Sequence, residues 1–277
     1  MKRAIGILAL TALAACASDT SDGTGGTSGA GGSAGSGGNG GAAGSSGGEF
    51  PMAGPYPTFR EDTADLVYFF PQNIEEETTW PALVWFNGAS GYTDDFNYNG
   101  LLDSIASWGF VVVGGKSPGM NGPESDQREA LLARNTDSND ILFGRIDEAR
   151  IALAGHSLGG FQTTEESGSY TVAVAIQGAG TPRGDEAAPT LFMTSDGDET
   201  VDSSIVVEAF ERAINDAWLA NHATIDHEDP RTDGGVYREP VIAFLRWQLH
   251  EDPEGAGWFE GDRCTLCTDP MWSFDAR

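Results

Sequence analysis

Five residues, Gly155-His156-Ser157-Leu158-Gly159, constrain this chain more than any other stretch. They follow Arg150-Ile151-Ala152-Leu153-Ala154, a short apolar run of strand type, and precede Gly160-Phe161-Gln162-Thr163-Thr164-Glu165-Glu166, which can start a helix. The order is strand, sharp turn, helix, with a serine at the apex. A serine hydroxyl is a poor nucleophile until it is presented clear of its own backbone with a base in reach. Small residues two before and two after it let strand and helix approach closely. The N–H of Leu158 then faces the space where an oxyanion would form. An ordinary glycine-rich turn can carry the same five residues, so the reading depends on an acid and a histidine following in order.

The flanking chain predicts a sheet for this turn to sit on. Apolar runs at 66–70, 82–86, 110–113, 150–154, 171–176, 190–194 and 217–220 read as strands, the last of them closing the sheet. Helical spacing is found at 96–108 through Leu101, Leu102, Ile105 and Ala106, with Gly109 as its stop. Further helices are expected at 126–134 with Ser125 as N-cap, at 203–213, and at 240–249. Strands alternating with helices imply an α/β fold: a mostly parallel sheet with helices on both faces. Ligands on such sheets bind beyond the carboxyl ends of the strands. Ser157, the loop Asn87-Gly88-Ala89-Ser90-Gly91, Asp198 and His222 all lie just past predicted strands.

The triad acid is expected in Ser195-Asp196-Gly197-Asp198-Glu199-Thr200-Val201, after the strand at 190–194. Asp198 is preferred to Asp196 because it sits just before the segment leading into the next helix. A calcium loop is the rival reading of this cluster, but Val201 stands where its turn glycine belongs. Of four histidines, His156 flanks the serine and His250 reads as a solvated helix end. His227 lies in Asp226-His227-Glu228-Asp229-Pro230, read as a polar surface loop, and His222 closely follows a strand. The order Ser157, Asp198, His222 therefore gives nucleophile, orienter and base. Activity is expected to fall as that base is protonated, near or below about pH 6.5. Ala89 is expected to join Leu158 as the second oxyanion donor. Tyr92, Phe96 and Trp108 are candidates for an apolar acyl pocket, with core packing the alternative for Trp108.

The first fifth of the chain reads differently. Met1-Lys2-Arg3 is basic, residues 4–15 are small and apolar but too short to span a bilayer, and Leu13-Ala14-Ala15-Cys16 ends the run. This resembles the lipobox of bacterial lipoproteins, with 1–15 as signal peptide and Cys16 lipidated. Ala17 in place of an aspartate points the sorting toward the outer membrane. Residues 16–49 form a Gly/Ser-rich tether that cannot bury enough surface to offset its ordering entropy. Residues 50–277 are long enough for one catalytic domain. The net charge of −27, from 15 basic and 42 acidic residues, excludes nucleic acid and anionic headgroups as natural partners. Cys264 and Cys267 are expected as a disulfide in an exported protein. Asp269-Pro270 after them argues against a thioredoxin-type helix start, and two cysteines alone do not close a zinc site.

Together these stretches resemble the α/β-hydrolase superfamily, specifically its cutinase and bacterial polyester-hydrolase branch, from about Gly54 onward. The resemblance is carried by Pro81-Ala82-Leu83-Val84-Trp85-Phe86-Asn87-Gly88, by Ala106-Ser107-Trp108-Gly109-Phe110-Val111-Val112-Val113, and by Gly144-Arg145-Ile146-Asp147 leading to Gly155-His156-Ser157-Leu158-Gly159-Gly160. It continues in Asn221-His222, in Tyr237-Arg238-Glu239-Pro240 and in the tail with Cys264 and Cys267. It implies an exported serine esterase without a cofactor or metal, monomeric, acting on a small acyl ester or a polyester. At one place the chain departs: Gln177-Gly178-Ala179-Gly180 stands where polyester hydrolases usually have Pro-Trp. The resemblance thus carries over ester hydrolysis and not the cleavage of aromatic polyesters. A deacetylase, amidase or peptidase on the same scaffold is the alternative within enzymes. A non-catalytic surface binding protein is the alternative outside them.

Overall fold

The computed structural model describes residues 48–89, 93, 97–117, 125–180, 187–262 and 264–277. The expected signal segment, Cys16 and all but the end of the tether lie outside the described residues, as do Tyr92 and Phe96. The strands are β1 Thr58–Asp62, β2 Leu66–Pro71, β3 Trp80–Phe86, β4 Val111–Gly115, β5 Ile146–His156, β6 Val172–Ile176, β7 Thr190–Ser195, β8 Ala217–His222 and β9 Trp272–Ala276. The helices are α1 Asn99–Ser107, α2 Ser125–Thr136, α3 Leu158–Glu166, α4 Ser203–Glu211, α5 Arg238–His250, and two single turns, α6 Pro253–Ala256 and α7 Thr265–Thr268.

The strands form one sheet in the order β1-β2-β4-β3-β5-β6-β7-β8-β9. From β4 to β8 every neighbouring pair is parallel, while β1, β2 and β9 join antiparallel at the two margins. This is the expected α/β-hydrolase architecture. Every residue of β3 is buried, as a strand covered on both faces requires. The alternation of side chains sorts the core into two layers. Leu83, Trp85, Val112, Ala152, Ala154, Val174 and Leu191 meet α1 and α5 on one face. On the other, Val84, Phe86, Val113 and Leu153 meet Leu131 of α2, and Ala175, Phe192 and Ala217 meet Val206 and Phe210 of α4.

The marginal strands β1 and β9 were not expected. Their residues are half-buried or exposed, none fully buried, so neither gives an apolar run. β9 pairs with β8 from Trp218↔Ala276 to His222↔Trp272, so the run at 217–220 is not the last strand. The Cys264–Cys267 disulfide is present. Contrary to expectation, a helical turn, α7, does begin inside that motif, with Cys264 Sγ accepting from Cys267 N–H at 3.1 Å.

Two expected surface or pocket residues are structural. Trp108 packs edge-on against Phe50 at 4.9 Å and donates its indole N–H to Pro51 O at 3.1 Å. That use fastens the start of the domain to the end of α1 and leaves no acyl-pocket role. His250 is half-buried rather than solvated. Its Nε2 donates to Gly109 O at 3.1 Å, and its ring stands edge-on to Phe110.

Burial pushes His250 down to about 4. The fold holds it neutral, while the unfolded chain binds its proton below about pH 6.5. Between those values the unfolded state carries more protons, so stability rises with pH. It is fully present above the unfolded value and lost as pH falls toward about 4, by at most about 1.4 kcal/mol per pH unit. A His250→Gln variant should therefore differ from the wild type in unfolding free energy by an amount that changes between about pH 7 and pH 5. Urea titrations at the two pH values check this, and a constant difference contradicts it.

Candidate active site

The site is built at the carboxyl ends of the parallel strands. β5 ends in His156 and α3 begins at Leu158, leaving Ser157 alone in the turn at φ 57°, ψ −121°. This is an unfavourable conformation for a residue with a side chain. Two contacts hold it: Ser157 N–H donates to Ile176 O at 2.9 Å, and Gly155 lies directly against Gly159. A Cβ on Gly155 would stand 2.5 Å from the carbonyl carbon of Gly159, so only glycine allows the turn to close.

The serine is hydrogen-bonded to His227, not to His222. Ser157 Oγ lies 2.8 Å from His227 Nε2, and His227 Nδ1 lies 2.7 Å from Asp198 Oδ2. A carboxylate only accepts, so Nδ1–H donates to Asp198 and Nε2 is left to accept the serine proton. Asp198 is buried. Its other oxygen accepts from the N–H groups of Thr200 and Val201 at 2.8 and 2.9 Å, which fixes the carboxylate toward the ring. Asp196 is exposed and is used elsewhere, accepting from Ser203 Oγ and Asn221 Nδ2. Of the two candidate acids, Asp198 is the one that meets a histidine among the described residues.

The expectation for His222 is corrected here. His222 is the last residue of β8, paired in register with Ser195 of β7 and Trp272 of β9. Three strand spacings separate β8 from β5, about 14 Å, too far for an imidazole rooted in the strand to reach Ser157. Its ring packs edge-on to Trp272 at 4.8 Å, and its Nδ1 accepts from Thr224 N–H. Burial pushes its pKa down. The loop after β8 instead folds back over the sheet edge and delivers His227, which is buried despite its acidic sequence neighbours.

Gln177, singled out only as a departure from a resemblance, also proves to be part of the site. It directly follows β6 with φ 46° and is fully buried. Its Nε2 donates to the carbonyl of Asp226 at 2.8 Å, which steadies the residue immediately before His227.

Beside Ser157 stand Leu158 and the loop after β3. Leu158 opens α3, so its N–H has no intrahelical acceptor. Asn87 anchors the loop: its Nδ2 donates to Gly115 O and Ser117 O, and its Oδ1 accepts from Trp85 Nε1 and Thr93 Oγ1. Gly88 sits against Ser157, since a Cβ there would lie 3.4 Å from Ser157 Cβ. Ala89 follows it and is exposed. Among the described residues its N–H meets no acceptor. Leu158 thus directly follows Ser157, and Gly88, the residue before Ala89, lies against it.

No family model matches the chain. It is 26% identical over 196 residues to a protein of Streptomyces coelicolor named bis(hydroxyethyl) terephthalate hydrolase, an alignment that covers 66% of this chain and 62% of that relative. The α/β fold and the ester-hydrolase relative agree with the architecture expected from the sequence.

Proposed function

We propose that the domain is a serine hydrolase of carboxylic esters, with Ser157, His227 and Asp198 as its triad and the N–H groups of Ala89 and Leu158 as its oxyanion donors. The observation that carries this reading is the unbroken chain Ser157 Oγ–His227 Nε2, His227 Nδ1–Asp198 Oδ2, at 2.8 and 2.7 Å beside a strained serine. Ser157 Oγ attacks the ester carbonyl as its proton passes to His227 Nε2, and the resulting imidazolium is stabilised by Asp198. The carbonyl oxygen takes up negative charge between the two backbone donors. The tetrahedral intermediate then collapses, His227 returns the proton to the departing alcohol, and an acyl-Ser157 ester remains. Water, deprotonated by His227, reverses the sequence and releases the acid.

The ester-hydrolase relative supports this class of reaction. The substrate in that relative's name, an aromatic diester, belongs in the panel because Gln177-Gly178-Ala179-Gly180 stands where the polyester-hydrolase resemblance implies Pro-Trp. Export and anchoring through a lipid on Cys16 are part of the same proposal, supported by Leu13-Ala14-Ala15-Cys16 and the Gly/Ser tether.

The test is covalent labelling. A fluorophosphonate should add once to the protein, and peptide mapping should place it on Ser157. Ser157→Ala should take up none. Turnover of p-nitrophenyl acetate, butyrate and octanoate, alongside bis(hydroxyethyl) terephthalate, then sizes the acyl site. Labelling at another residue, or equal hydrolysis by the wild type and Ser157→Ala, rejects the reading.

A further inference from the structure

Behind the nucleophile lies a polar group that the triad does not use. Tyr98 is fully buried and precedes α1 in the left-handed conformation, φ 60°, ψ −14°. An aromatic residue pays for that geometry unless its surroundings impose it, and three sets of contacts do so here. Its N–H donates to Arg231 O, while Arg231 Nε and Nη2 donate to Asn97 Oδ1 at 3.0 and 2.6 Å. Its ring packs against Trp85 at 5.1 Å and His156 at 5.8 Å. Its hydroxyl lies 2.8 Å from His156 Nδ1 and accepts from Gly88 N–H at 3.3 Å.

These contacts join the three segments that must be in register for catalysis. Gly88 precedes the donor Ala89, His156 precedes Ser157, and Arg231 ends the turn Asp229–Arg231 that follows His227. The protons can be placed. Burial pushes the Tyr98 phenol up to about 12, so it keeps its hydrogen, and pushes His156 down to about 3, so it is neutral. Among the described residues, the phenol's hydrogen has one acceptor, His156 Nδ1, which puts the imidazole hydrogen on Nε2. Tyr98 Oη is then free to receive the N–H of Gly88. That N–H is thereby turned away from the oxyanion position, and the next one along the chain, Ala89, is left to serve it.

We infer that Tyr98 is a positioning residue for the oxyanion hole, its hydroxyl clamping the Gly88-Ala89 loop to His156 while its backbone ties that loop to the segment carrying His227. The inference rests on the esterase reading and adds to it the residue that sets the distance between oxyanion donor and nucleophile. Tyr98 touches neither substrate nor reacting atoms.

Tyr98→Phe keeps the ring and its packing and removes only the clamp. The expected result is a fall in kcat of about 10- to 100-fold, with KM changed by less than about three-fold. Affinity for phenylboronic acid, which forms a tetrahedral adduct with Ser157 and puts an oxygen in the hole, should fall by a factor similar to that in kcat. Fluorophosphonate labelling of Ser157 should persist at a reduced rate.

An unchanged kcat in the variant, with an active wild type, overturns the inference. So does a loss that appears in KM while boronate affinity is retained. An inactive, unlabelled wild type instead rejects the esterase reading. If Tyr98→Phe does not fold, 15N spectra of the histidine-labelled wild type decide the proton placement. His156 should be neutral and protonated on Nε2 down to about pH 5, and protonation on Nδ1 overturns the clamp.

Discussion

Replacing His227 with alanine should lower kcat for p-nitrophenyl butyrate by about 10⁴- to 10⁶-fold, the range expected when a triad member is lost. Replacing His222 with alanine should leave kcat within about five-fold of the wild type. The contrast follows from position. His227 Nε2 is the described base within hydrogen-bonding distance of Ser157 Oγ, at 2.8 Å. Without it the serine proton has no acceptor, and the alkoxide must form against its own high pKa. Some rate should survive, since the backbone donors still stabilise the oxyanion when bulk water or hydroxide attacks. His222 packs on Trp272 at the end of β8, so its loss should appear as a modest fall in melting temperature. Asp198→Asn should resemble His227→Ala more than His222→Ala, at about 10⁴-fold, because the ring would lose the acceptor that fixes its tautomer. Steady-state turnover of the three purified variants checks the set. A His222→Ala enzyme as inactive as His227→Ala, at unchanged melting temperature, would restore His222 as the base.

The second large effect is expected at Gly159. In an isolated helix, glycine to alanine is favourable by about 1 kcal/mol. Here the added Cβ would lie 2.1 Å from Phe86 O, 2.5 Å from its carbonyl carbon and 2.8 Å from Asn87 O. All three are backbone atoms at the end of β3, where the oxyanion loop begins, so no side-chain rotation relieves the clash. Either α3 moves off the sheet or the loop moves off the serine. We expect Gly159→Ala to cost about 3 kcal/mol net, a fall in melting temperature of about 6–12 °C for a domain of this size. Its kcat should fall by at least about 100-fold, since a displacement near 1 Å at the reacting centre is enough for that. Thermal unfolding and turnover of the one variant test both parts. A variant that melts at or above the wild-type temperature would mean the helix gain outweighs the clash, and that α3 is not packed on β3 as described.

Local sequence was enough for most of the framework. The runs through Leu83, Val112, Leu153, Val174 and Leu191 lie in the central strands as read, because a strand buried on both faces is apolar at every position. The glycines around Ser157 foretold the turn because its closeness excludes any other residue. The loop carrying Asp198 was legible because it directly follows the apolar run at 190–194. The edge strands β1 and β9 escaped because half-exposed strands carry mixed polarity, and their partners are far away in the chain.

The histidine that meets Ser157 was beyond the reach of sequence. His222 and His227 are five positions apart in one short segment, and both stand among polar residues. Sequence proximity to a strand favoured His222, but the relevant quantity is the distance from β8 back to β5. That distance depends on strand order and on where the following loop folds. An acidic surface segment and a loop that buries its histidine against Asp198 look alike until the sheet has assembled. Tyr98 and Gln177 were hidden for the same reason. Their buried hydrogen bonds reach residues 10, 58 and 133 positions away for Tyr98 and 16 and 49 for Gln177, where no local pattern records them. The sequence by itself determined the order of the central elements and the turn at Ser157, since these depend on side-chain periodicity and on steric room within a few residues. Tertiary structure alone decided which histidine meets Ser157 and Asp198 and which residues Tyr98 joins, since both are set by distances across the sheet.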